Sequence, residues 1–160
     1  MIVRDATTED HAWIVATATE LLGDEVQVHT RRQFTVLDGE VLLVAVDGTP
    51  DGFATWDHDG DTAELLAIAV RSRRRGTGRA LVEAVRARAR RVGCTRLVVV
   101  TTDENVGAQR FYATLGFELA ERRVGAVDEC RRTSKPTIPP GIHDELEYAT
   151  ALDTPEEEAS

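Results

Sequence analysis

The chain has 160 residues, 42% hydrophobic and 29% charged, with 28 acidic against 19 basic side chains and a net charge of −9. That size and apolar content suit one domain, residues 1–150, with an acidic and disordered tail over 151–160. No stretch approaches the roughly 18 apolar residues of a membrane span. MIVRDATTED also lacks the basic start and apolar run of a secretory signal, so a cytoplasmic protein with no membrane partner is expected. Cys94 and Cys130 are too few for a disulfide framework and have no partners at metal-ligand spacing, so no metal is expected.

In chain order, IVRDA reads as a short edge strand. TTEDHAWIVATATELLG reads as a helix with a threonine start, Gly23 as its stop, and Ile14, Ala18, Leu21 and Leu22 on one face. Residues 24–38 are ambiguous, a second helix with loops being one reading. VLLVAVDGTPDGFATWD gives two strands around a DGTPDG turn, and a DHDGD turn leads into AELLAIAV, making three consecutive antiparallel strands. LVEAVRARARRV has apolar residues at 81, 85, 89 and 92, the stripe of a helix stopped by Gly93. RLVVVTT has the composition of a strand buried on both faces. NVGAQRFYATLGF places Ala108, Phe111, Tyr112 and Leu115 on one helical face, with Asn105 a candidate cap and Gly116 the terminator. FELAER and DELEYAT close the fold as two strands. Between them, 124–143 with its KPTIPPGIH is long for a connection, a length more often functional than idle. The order predicts an α/β (α+β) fold, a mixed sheet with helices on its faces.

Charge is divided unevenly along the chain. Residues 71–96 hold ten arginines and one acid, Glu83, a net +9 that leaves −18 for the remainder. Arg86, Arg88, Arg90 and Arg91 fall on the amphipathic helix, where a solvated face accounts for them. The cluster RSRRRGTGR, residues 71–79, instead surrounds glycines at a strand-to-helix junction. A helix start offers unpaired N–H groups and the positive end of the dipole, and Gly76 and Gly78 let an anion approach the main chain. That describes a phosphate cradle, with a bare turn as the alternative. No Gly-Lys-Ser/Thr follows, and Leu81 stands where the dinucleotide fingerprint has its third glycine.

Arg73-x-x-Gly76-x-Gly78 at a helix start, AELLAIAV before it, and Asn105-x-x-Ala108-x-x-Phe111-Tyr112-x-x-Leu115-Gly116-Phe117 beyond it together resemble the GNAT superfamily of acyl-CoA-dependent N-acetyltransferases. The resemblance covers roughly residues 2–150 and is most specific over 64–117; KPTIPPGIHDELEY is similar to bacterial-type members. It implies a mostly antiparallel sheet of about seven strands and four helices, in which two splayed strands hold the cofactor, acetyl-CoA. Backbone groups near Ile68, Ala69 and Val70 would bond the pantetheine arm. The diphosphate would lie on the main chain of residues 74–79, with charge from Arg73, Arg74, Arg75 and Arg79 around Gly76, Thr77 and Gly78. Arg74 departs from the family, many members having glycine there.

The resemblance further implies Tyr112 as the acid that protonates the leaving thiolate, and Glu64 as the base. A core aromatic and a strand-end surface charge are the respective alternatives. Asn105, Ala108 and Phe111 would line the cofactor side of their helix, unless Asn105 is only a cap. Asp103 and Glu104 are substitute bases. His11, His29, His58 and His143 read as surface residues, with His29 and His58 within reach of an acceptor cleft walled by residues 24–38, the turn near Trp56 to Asp61 and the 124–143 loop. The expected partner is a small-molecule or peptide amine, a cationic one being favoured weakly by the acidic remainder. A homodimer is an open alternative, since the superfamily often dimerises. A catalytically silent acyl-CoA sensor is the rival reading. A nucleic-acid partner is not expected, because the net charge is acidic and no aromatic platform adjoins the arginines.

Overall fold

The computed structural model describes residues 1–29, 32–73 and 76–153. The acidic tail from 154, and Arg74 and Arg75 of the basic cluster, therefore lie outside the described residues. One sheet of seven strands runs in the spatial order β1 (Ile2–Asp5), β4 (Glu40–Val46), β5 (Thr49–Asp59), β6 (Thr62–Val70), β7 (Arg96–Thr102), β9 (Glu145–Ala151), β8 (Glu118–Arg123). Every neighbouring pair is antiparallel except β6 and β7, which are parallel and joined by the helix α2 (Thr77–Arg91). The remaining helices are α1 (His11–Leu22), entered through a 3-10 turn at Thr8–Asp10, α3 (Val106–Thr114) and α4 (Ala126–Thr133).

The meander follows from its turn chemistry. Asp47 and Gly48 both adopt positive φ, 52° and 78°, so the β4–β5 turn is a tight two-residue one, shorter than the DGTPDG segment expected. Pro50 then lies inside β5, tolerated because the register shifts beside its partner Ala45. Gly52 permits close strand approach, since a Cβ there would meet the Ala69 carbonyl oxygen at 2.8 Å.

Residues 24–38 correct the helical reading. They form a two-stranded hairpin, β2 (Val26–His29) and β3 (Arg32–Thr35), whose tip lies outside the described residues. The cause is period: Val26 and Val28 alternate with Gln27 and His29, and Phe34 and Val36 with Gln33 and Thr35, the two-residue repeat of an extended chain. The 124–143 connection likewise contains a helix, α4, where the sequence predicts a long loop.

Two cores sandwich the sheet. On one face α2 and α3 bury Leu81, Val85, Ala89, Tyr112 and Leu115 against Leu65, Leu97, Val99 and Tyr148. On the other, Ile14 and Ala18 of α1 pack on Leu43, Phe53, Ala67 and Ala69. Two positions of the expected stripes fall outside these cores: Val92, the α2 cap, is 48% exposed and Leu21 of α1 is 43% exposed.

Candidate active site

The site begins with a break in strand pairing. β6 and β7 pair only from Thr62↔Arg96 to Leu65↔Val99; beyond that Leu66–Val70 and Val100–Thr102 diverge. At the same level the β5–β6 register shifts, so Trp56 faces Leu65 and Thr55 faces Ala67, leaving Leu66 as an extra, bulged residue. The bulge re-aims the strand. Before it Leu65 joins the α2–α3 core; after it Ala67 and Ala69 join the α1 core and Ile68 and Val70 turn toward α2 and α3. A cleft of about 1310 Å³ opens through this gap. Its walls are α2 and α3 on one face of the sheet, and the end of α1, the hairpin and the α4 region on the other.

On the α2–α3 side, Arg73, Gly76, Thr77, Gly78 and Arg79 all line the cleft. Gly76 caps α2 in the left-handed conformation, φ 76°, which turns the chain so that the first-turn N–H groups face outward from the helix end. The hydroxyl of Thr77 is buried and has no hydrogen-bond partner among the described residues. Gly78 lies flat against Phe111: a Cβ there would come within 3.2 Å of the ring. An unpartnered buried hydroxyl at a glycine-flanked helix start fits a bound oxyanion such as a diphosphate.

The arginine cluster divides by role. Arg71 bonds Thr17 and Glu20 of α1 at 2.9 and 2.8 Å and covers the Trp13 ring, so it fastens β6 to α1. Arg86 donates to the Leu115 carbonyl and stacks on Phe117, and Arg88 meets Asp5 at 2.7 Å. Burial lowers Arg86 from its ordinary pKa. These two are scaffold ties, not the solvated face expected of them.

Of the remaining cofactor-side candidates, Ile68, Val70, Asn105, Ala108 and Phe111 line the cleft, while the Ala69 side chain faces the α1 core. Asn105 is indeed the α3 cap, its Oδ1 accepting the Ala108 N–H at 3.1 Å. Tyr112 lines the cleft from within the core, 4% exposed, with Phe111 and Phe117 each 5.5 Å away and Tyr148 at 6.2 Å. Burial alone pushes its phenol well above the usual range.

Glu64 does not line the cleft; His29 does. The Glu64 carboxylate meets His29 Nε2 at 2.9 Å, with side chains 13% and 7% exposed, so the imidazole stands between the carboxylate and the cavity. His29 is thus a buried residue, against the surface reading. Its signal in the sequence was its place at the end of the alternating run VQVH, legible only once that run is read as a strand. The other three histidines are elsewhere: His58 stacks on Trp56, His143 meets Asp128 at 3.0 Å, and His11 opens α1. Trp56 is 1% exposed in the core, so the turn after it is not a wall of the cleft. Glu104 lines it and Asp103 does not; the Asp103 carboxylate accepts the N–H groups of His143 and Asp144, each at 3.0 Å.

Comparison with known proteins agrees with this geometry. Residues 7–117 match the acetyltransferase (GNAT) family. The chain is 32% identical over 123 residues to the uncharacterized protein YdhI of Bacillus subtilis (strain 168), covering 73% of this chain and 76% of that one. Among solved structures, the IAA acetyltransferase of Bacillus cereus ATCC 14579 superposes with a TM-score of 0.74 at 19% identity, over 94% of this chain and 99% of that one. A GNAT family acetyltransferase of Elizabethkingia anophelis with acetyl-CoA bound gives 0.70 at 19%, over 94% and 97%. The seven-stranded mixed sheet with its flanking helices is the fold of these acetyltransferases. This chain belongs to the GNAT acetyltransferase family.

Among the described residues no group of His, Cys, Asp and Glu could hold a metal ion, and no helix is long and apolar enough to cross a membrane. Cys94 and Cys130 are both free and buried, and burial raises both thiols.

Proposed function

We propose that this protein transfers an acetyl group from acetyl-CoA to a primary amine by direct attack on the thioester. The observation that carries the reading is the unpaired β6–β7 segment opening beside the Gly76–Gly78 helix start, within one continuous cleft. The diphosphate of acetyl-CoA would take the first-turn amides of α2 and the Thr77 hydroxyl, with Arg73 and Arg79 adding charge-assisted bonds. Its pantetheine arm would use the main-chain groups of Ile68, Ala69 and Val70 left without β7 partners. Asn105, Ala108 and Phe111 would border it from α3.

The chemistry needs a base, an acid and a dry site. The amine lone pair attacks the carbonyl carbon, the N–C bond forms, and the C–S bond breaks. The amine proton passes to the His29 imidazole, which Glu64 holds at 2.9 Å, so that the carboxylate stabilises the cation formed. Glu64 supplies basicity through the imidazole. Tyr112 gives its proton to the departing thiolate and regains one from solvent; burial, which keeps the phenol protonated, also makes an uncompensated thiolate costly.

Thiol release from acetyl-CoA with a panel of amines tests the reading. Turnover is expected, and Glu64→Gln and His29→Gln should each lower kcat by on the order of 10²-fold without changing KM for acetyl-CoA. The double variant should be no worse than His29→Gln alone, because the two act as a unit. Acetyl-CoA binding with no thiol release from any amine would favour the silent sensor. Full activity in Glu64→Gln would remove the pair from the mechanism.

A further inference from the structure

The half of the cleft beyond the proposed carrier site has its own chemistry. Because the gap passes through the sheet, a carrier entering from the α2–α3 face leaves the opposite face, walled by α1, the hairpin and the α4 region, for the acceptor. That wall is apolar: Leu21 and Leu22 of α1, Val28 and Phe34 of the hairpin, and Ile138 and Ile142 of the proline-rich connection all line it.

Two of its polar members, Gln27 and Lys135, are engaged in building it, as is Arg131 behind it. Gln27 donates to the Asp24 carbonyl at 2.7 Å and Lys135 to the Val26 carbonyl at 2.8 Å, which ties the connection to the hairpin. Arg131 donates to the carbonyls of Ile138, Pro139 and Ile142, and its own position is set by Asp128 at 2.8 Å. One guanidinium thus satisfies the backbone of a segment with few internal bonds and turns its aliphatic side chains into the cavity. The connection is a built wall.

Charge argues the same way. Of the 28 acids in the chain, only Glu104 and Glu145 are among the described cleft residues, against Arg73, Arg79 and Lys135. Glu145 is itself bonded to Arg123 at 3.1 Å. The acidic remainder of the sequence is therefore not gathered where an acceptor would sit, and a molecule with several ammonium groups would leave most of them desolvated against hydrocarbon.

Resting on the transferase reading, we infer that the acceptor is a small monoamine with an apolar aryl or branched-alkyl body, and that the wall formed by Leu21, Phe34 and Ile138 selects it over polyamines, aminoglycosides and peptide N-termini. The apolar body is held by area removed from water, and a polycation is rejected by the charges the wall cannot pair.

The test is thiol release from acetyl-CoA with 2-phenylethylamine, isoamylamine, spermidine, kanamycin and a short peptide with N-terminal alanine. The two apolar monoamines should show kcat/KM at least about tenfold above the other three, the scale of a few buried methylenes. Leu21→Glu, an exposed helix position that tolerates the change in folding, should lower kcat/KM for 2-phenylethylamine about tenfold through KM. The same variant should narrow the gap to spermidine and leave KM for acetyl-CoA unchanged. Preference for spermidine, kanamycin or the peptide, or indifference to Leu21→Glu, overturns the inference while the transferase reading stands. Absence of thiol release from all five, with acetyl-CoA bound in calorimetry, overturns both.

Discussion

Replacing Tyr112 with phenylalanine removes one oxygen from the wall of the cleft and little else. The ring stays wedged among Phe111, Phe117 and Tyr148 at 5.5 to 6.2 Å, so its packing is kept. Burial is the sole cause of the raised phenol, and a hydroxyl that is desolvated without compensation contributes little to folding. Stability at pH 7 should therefore change by less than about 1 kcal/mol. Turnover should fall by on the order of 10²-fold, about 2.7 kcal/mol of barrier, because a positioned acid is worth that much where a thiolate leaves a dry site. The affinity for acetyl-CoA should be unchanged. Alkaline unfolding gives an independent reading of the same group. A folded-state pKa above the ordinary value of 10.0 means that the stability tied to the neutral phenol is complete below pH 10 and is lost as pH rises further, when the unfolded chain ionises first. Tyr112→Phe should flatten that decline. Stopped thiol-release kinetics, calorimetry with acetyl-CoA and urea unfolding at pH 8 to 11 measure the three quantities. Unchanged kcat, or a loss of turnover matched by an equal loss of acetyl-CoA affinity, would refute the acid role.

Gly78→Val should weaken acetyl-CoA binding at least tenfold in calorimetry, since its Cβ would press on Phe111 at 3.2 Å and its methyls would stand over the α2 amides; wild-type affinity would contradict the cradle. Asp10→Ala should cost about 1–2 kcal/mol in urea unfolding at pH 7, because Asp10 accepts bonds from Arg4 at 2.8 and 3.0 Å and from the Thr7 N–H at 2.8 Å as the chain enters α1. Arg4 first, then Thr7, hold that carboxyl far below the usual carboxylate range, so its contribution is complete above pH 3.8 and is lost as pH falls through the lower folded-state pKa; the difference between the two proteins should narrow steadily as pH is lowered below 3.8.

The sheet and its helices were largely legible because their signals are local. The 81, 85 and 89 stripe, the β-branched RLVVVTT run and the Asn105 cap each became what their spacing implied. The Gly76 turn at the start of α2 was legible for the same reason, being a contiguous motif. The opposite wall was legible only in part: residues 24–38 and the 124–143 connection do line the cleft and the turn after Trp56 does not, because the wall is assembled from segments distant in the chain. Nothing near Leu21 in the chain says that Ile138 will stand across from it. Likewise, nothing near Glu64 says that a histidine 35 residues away will screen it from the cavity. Charge misled for a related physical reason: a count along the chain cannot tell a guanidinium that ties α2 to Leu115 from one that faces the cleft. The hairpin is hard to read because each of its alternating runs is only four residues long, and the β6 bulge at Leu66 leaves no residue-type mark at all.

A crystal structure of the protein with acetyl-CoA tests the central claim most directly. The account predicts the diphosphate on the main chain of Thr77 to Arg79 with the Thr77 hydroxyl engaged, and the thioester between β6 and β7 facing Tyr112. Acetyl-CoA bound elsewhere, or a gap between the two strands that stays closed at saturating ligand, would contradict it.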